Sequence, residues 1–86
     1  MIKGKTKTGF SYVLSQERLN NYEMLEVLSE LDDNPMELPK LVNLLLGKDE
    51  AIRLKNHVRT DDGLVPAEAL MAEIKAIFEN QKQTKN

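Results

Sequence analysis

The sequence predicts a mainly α-helical protein, with a short N-terminal β-hairpin followed by about four short helices in one compact domain. Three observations predict it. Eighty-six residues suit one small domain and are too few for two. Apolar residues alternate with polar ones up to Leu14, then recur at helical spacing from Tyr22 to Phe78. Asn, Pro and Gly stand at intervals that break the helical part into pieces of one to three turns.

The hairpin is read from Ile2 to Leu14, which is rich in Thr, Phe, Tyr and Val. Lys7-Thr8-Gly9 interrupts it, and Gly9 can take the positive φ of a tight turn, so strands fall at about 2–6 and 10–14. Lys3, Lys5 and Lys7 then share one face. That arrangement protects an exposed edge strand from pairing with another chain, or it is a small patch for nucleic acid.

The first helix is announced by Asn20, with Glu23 three residues on as a variant capping box. Tyr22, Leu25 and Leu28, and the adjacent set Met24, Val27 and Leu31, recur along it, while Glu23, Glu26 and Glu30 fall on the opposite side. Asp32-Asp33-Asn34-Pro35 ends it. A second helix opens at Leu38-Pro39, since Pro is tolerated at the first helical positions, and stops at Gly47. Its Leu41, Val42, Leu44, Leu45 and Leu46 cover more than one stripe, so the helix is central to the core or offers leucines to another chain.

Asp49 is the expected cap of a third helix through Ile52, Leu54 and Val58 to about Thr60. Asp61-Asp62-Gly63 follows as a structural turn, because Leu64-Val65-Pro66 lacks the oxygen ligands and closing Glu of a calcium loop. Pro66 opens the last helix, where Leu70, Met71, Ile74, Ile77 and Phe78 make one coherent stripe. The domain is expected to span 1–80, with 81–86 a polar, frayed tail.

The composition narrows function. The chain is 41% hydrophobic and 30% charged, enough for an aliphatic core. It lacks cysteine, which removes disulfides, thiolate nucleophiles and Cys-ligated zinc, and agrees with a reducing interior. Its single histidine, His57, is too few for a His-based metal site, and reads as a partly buried helix residue or a pH-sensitive group. No cofactor is implied. No apolar run is long enough to span a bilayer, and the polar start lacks the core of a signal peptide. Phosphate loops, nucleophile elbows, zinc-protease helices and dinucleotide fingerprints are all missing, so a non-enzymatic binding role is expected.

The net charge of −2 conceals an uneven distribution. Residues 1–16 carry +3, 17–37 carry −6, 38–60 carry +3 and 61–86 carry −2. These are ordinary solvated faces, or the acidic segment recruits a basic partner. Short helices joined by tight turns also suggest a small helix-turn-helix-like DNA-binding regulator. A pI of about 5.4 opposes it, since binding a phosphate lattice requires many cationic contacts on one side.

The order of elements resembles that of the small tail assembly chaperones of long-tailed, siphovirus-type bacteriophages and prophages of Gram-positive bacteria. The resemblance covers residues 8–80 and rests on Asn34-Pro35, Leu38-Pro39-Lys40, Leu45-Leu46-Gly47 and Asp62-Gly63-Leu64-Val65-Pro66 taken together. It implies a protein of the bacterial host cytoplasm, absent from the mature virion. Such a protein keeps the helix-rich tape measure protein soluble and helps tail tube protein polymerise around it. In such families a longer form is often made by ribosomal frameshift; Thr84-Lys85-Asn86 can be encoded ACA AAA AAC, which contains a slippery run in the required phase, and codon degeneracy makes this permissive only. A structural adaptor of the phage particle is the other reading of the same class. Under the chaperone reading, Leu38, Leu41, Leu44 and Leu45 contribute to a client surface or to self-association, with Glu23, Glu26 and Glu30 as its soluble rim.

Overall fold

A computed structural model describes residues 1–84, with side chains to Gln81. Strands β1 (Ile2–Lys5) and β2 (Ser11–Leu14) pair antiparallel, Ile2 opposite Leu14 and Lys5 opposite Ser11. Helices α1 (Gln16–Leu19), α2 (Tyr22–Glu30), α3 (Leu38–Leu46), α4 (Lys48–Val58) and α5 (Ala67–Thr84) follow, with a single 3-10 turn, Pro35–Glu37, ahead of α3. The hairpin and the four longer helices are those the sequence predicts.

The hairpin closes through Gly9, whose φ of 96° lets its amide reach Thr6 O at 3.0 Å. Thr6 Oγ1 accepts from the Phe10 amide at 3.2 Å and holds the turn shut. Tyr12 and Leu14 point into the core, while Lys3, Lys5 and Lys7 stay exposed on the other side. Gly4 lies opposite Tyr12, and the phenol ring occupies the space where a Cβ would stand.

α1 is absent from the sequence reading. Ser15 caps it, Oγ accepting from the Arg18 amide at 3.0 Å. The cap of α2 is Asn21, one residue later than expected, with Oδ1 accepting from the Glu23 amide at 3.0 Å. This register turns Met24, Val27 and Leu31 inward and leaves Tyr22 and Leu25 exposed, while Leu28, half-buried, packs against the edge of the core.

α3 is the centre of the domain. Leu38, Leu41, Val42, Leu45 and Leu46 are buried over an arc of roughly 140° at 100° per residue, against α1, α2, α4 and β2. Its apolar excess is therefore met by neighbours on more than one side. The helix ends at Gly47, with φ 83° and ψ 167°, an extended positive-φ conformation that is almost exclusive to glycine. Arg18 covers this end, its Nη1 donating to Asn43 O at 3.2 Å and Leu44 O at 3.1 Å, two carbonyls of the last turn.

α4 begins at Lys48, so Asp49 lies in the first turn and is not its cap. Ala51 and Leu54 face the core, whereas Ile52, expected inside, is exposed. The turn after α4 is closed by Arg59 Nη1 on Gly63 O at 2.8 Å and by the Thr60 amide on Leu64 O at 2.8 Å. That is the structural turn the sequence indicates. Pro66 O accepts the first α5 bond, from the Leu70 amide at 3.1 Å. α5 buries Leu70, Ile74 and Ile77 along the expected stripe and continues to Thr84, so helix extends into the segment 81–86 that the sequence reads as a frayed tail. The last two residues of the expected tail lie outside the described residues. No helix among the described residues is long and apolar enough to cross a membrane.

Candidate functional site

Two features remain once the core is accounted for: an apolar groove, and a polar cluster at the hairpin turn.

The groove has a volume of about 330 Å³. The 3-10 turn contributes Pro35 and Met36, and α3 contributes Leu38, Pro39, Val42 and Asn43. Ala51 and Lys55 of α4 form the facing wall, and Val65, Ala67 and Leu70 close the end where α5 begins. Pro35 opens the 3-10 turn and Pro39 occupies the second position of α3, so a proline stands at the start of each of these two bordering segments. Met36 stands at its edge 83% exposed, and Leu64, next to Val65, is 66% exposed. Large side chains left in water beside an apolar depression mark a surface that another molecule can cover.

The groove meets a second depression of about 390 Å³ along α4. Asn43, Ala51 and Lys55 line both, and Arg18, Gly47, Lys48 and Ile52 complete the second. Apolar character thus passes into basic character along a continuous path.

The polar cluster lies at the hairpin turn. Thr8 Oγ1 donates to Glu73 Oε2 at 2.6 Å, and it lies 2.9 Å from His57 Nε2 and 3.1 Å from Thr6 Oγ1. An ionised carboxylate only accepts, so the single Thr8 proton goes to Glu73 and both lone pairs of the hydroxyl are free to accept. Thr6 Oγ1–H and His57 Nε2–H fill them. His57 is exposed overall, which corrects the expectation of a partly buried residue; its ring packs on Phe10 at 5.3 Å between centroids, and the Arg53 guanidinium lies 5.1 Å from the same ring. Glu73 itself is only 5% exposed, and its second oxygen, Oε1, is buried without a hydrogen-bond partner. This cluster joins the hairpin turn, α4 and α5. An open depression of about 440 Å³, lined by Gly9, Phe10, Ser11, Arg53, Asn56 and His57, adjoins it, and the cluster serves as a latch for the hairpin.

Leu41 and Leu45 are fully buried and Leu38 is 4% exposed. This corrects the expectation that they present an apolar face, because α1, α2, α4 and β2 already cover them. Leu38 forms part of the groove floor, and Leu44 keeps partial exposure on the far side of α3. Glu23, Glu26 and Glu30 are exposed along α2 as expected, but no residue of α2 lines the groove, so they are not its rim. Sequence reasoning missed Met36 and Val65, whose only signal is that each adjoins a proline, Pro35 and Pro66, and Lys55, which has no such neighbour. Among the described residues no group of His, Asp and Glu is arranged to hold a metal ion.

Comparison with protein-family models, with curated proteins and with solved structures finds no match to this chain.

Proposed function

We propose that this chain is a non-enzymatic assembly chaperone of bacteriophage tails, which holds amphipathic helical segments of a tape measure protein in the apolar groove until tail tube protein polymerises around them. The groove between the 3-10 turn, α3, α4 and the start of α5 carries the reading. An amphipathic helix needs a depression of this kind to bury its apolar stripe, flanked by charge that keeps the free chaperone dissolved.

A second support is where the sequence elements of the resemblance lie. Pro35, Leu38 and Pro39 line one side of the groove, and Val65 lines the end of it, although some 26 residues separate the two groups. Gly47 lines the adjoining depression. Elements scattered along the chain converge on one surface.

The test is co-expression with a phage tape measure protein. The wild-type chain keeps the client in the soluble fraction, and Met36→Asp, a change at an exposed position, loses that effect while its circular dichroism spectrum and melting temperature stay those of the wild type. Retention of client solubility by a folded Met36→Asp protein overturns the reading.

A further inference from the structure

The charge around the groove identifies the chemistry of what it accepts. The protein carries 14 acidic and 12 basic side chains, so an arbitrary surface depression meets both signs. Here the charged residues lining the groove and its continuation are Arg18, Lys48 and Lys55, and no Asp or Glu lines either part. Glu37, Asp49 and Glu68 are next to lining residues in sequence but do not line the depressions. Among the described residues none of the three cations is in an ion pair, whereas Arg53 pairs with Glu50, one turn apart on α4. Arg18 spends Nη1 on the neutral carbonyls of Asn43 and Leu44, which fixes the guanidinium in place over Gly47 without cancelling its charge.

We propose that the groove and its continuation form one docking site for an acidic amphipathic segment of a partner protein. Apolar side chains of that segment seat between Met36, Val42 and Val65, and its carboxylates meet Lys55, Lys48 and Arg18. This rests on the reading of the groove as the client site and adds the sign of the client's charge. Complementary charge of this kind chooses among segments that share an apolar stripe, and it speeds their encounter more than it tightens the complex. Three cations are few for a phosphate lattice, whose binding draws on many such contacts, and the apolar half has no use there.

The experiment uses the full chain and two fluorescein-labelled helical peptides with the same leucine face, one flanked by Glu and one by Lys, titrated by fluorescence anisotropy. The Glu peptide binds roughly tenfold tighter than the Lys peptide at low salt and loses that advantage as salt is raised. Combining Lys48→Glu with Lys55→Glu reverses the order, and Met36→Asp weakens both peptides. All three positions are exposed, so the variants keep the wild-type circular dichroism spectrum. If both peptides bind equally, remain sensitive to Met36→Asp and ignore the charge reversal, the acidic preference is overturned and the groove reading stands. If binding ignores Met36→Asp, or neither peptide binds, both fall. Competition by a duplex DNA oligonucleotide at equal concentration also overturns the proposal in favour of nucleic acid.

Discussion

Thr8 Oγ1 lies 2.6 Å from Glu73 Oε2, a hydroxyl-to-carboxylate bond that ties the hairpin turn to the middle of α5 across 65 residues of sequence. It is the one hydrogen bond that the described structure gives to the Glu73 side chain, whose other oxygen is buried and unpaired. A nearly buried carboxylate held by a single donor depends heavily on that donor.

Thr8→Val therefore destabilises the protein by about 1–3 kcal/mol, the cost of leaving a buried carboxylate without its donor, although Thr8 itself is exposed. Pairing it with Glu73→Leu removes both polar partners at once, and the double variant is expected to recover most of the loss. Urea denaturation of the two single variants and the double variant measures this. Additive losses would show that the two side chains do not act together.

Gly4→Ala is destabilising for a reason unrelated to backbone freedom. Gly4 is in a strand with no positive φ, where Ala is ordinarily the better residue. Its Cβ, however, would overlap Tyr12 Oη and the ring carbon bearing it. The phenol must move, giving up the bond that Asn80 Nδ2 donates to it at 3.1 Å. A loss of about 1–3 kcal/mol is expected from overpacking. Tyr12→Phe keeps the ring and loses the hydroxyl, and costs about 1 kcal/mol. Thermal melts of both variants distinguish the two contributions, and a Gly4→Ala protein as stable as wild type would contradict the packing of Tyr12 over β1.

Gly47 differs from an ordinary helix-ending glycine. Its ψ of 167° at φ 83° lies outside the left-handed helical region that Asn tolerates, and Arg18 Nη2 would come within 3.1 Å of an added Cβ. Gly47→Ala and Gly47→Asn are both expected to cost about 1–3 kcal/mol, with no rescue by Asn. A clear advantage of Asn over Ala in chemical denaturation would show that the chain relaxes into a left-handed cap.

The hairpin, the four longer helices and the turn at Asp61-Asp62-Gly63 were legible because each is encoded by nearby residues: alternation, a helical stripe, or a glycine where φ must be positive. What was not legible depends on residues far apart in sequence. Asn20 and Asn21 are equally good caps locally, and the choice between them rests on which register sends Met24, Val27 and Leu31 into the core. α1 contains one leucine, too few for a periodic signal. Glu73 reads as a solvated residue within the α5 stripe until Thr8 is brought against it. The groove is least visible of all, because Val42 and Leu70 are the kind of residue that sequence reasoning assigns to the core, and the gap between them arises from how α3, α4 and α5 meet.

That misassignment makes Leu45 and Met36 a useful contrast. Leu45 is wholly enclosed by the core, so Leu45→Ala is expected to cost about 2–5 kcal/mol, the usual range for a buried leucine whose cavity does not collapse. A charged residue there costs more, and any loss of client binding in such a variant reflects loss of the fold. Met36→Asp, at an exposed position, is expected to change stability by no more than about 0.5 kcal/mol. Melting curves of the two variants, compared with their ability to keep a tape measure protein soluble, separate core from surface. The expected pattern is a large drop in stability for Leu45→Ala, and for Met36→Asp a loss of client solubility at unchanged stability. A Leu45→Ala protein as stable as wild type would place α3 outside the core, and the leucines of that helix would return as candidates for the client surface.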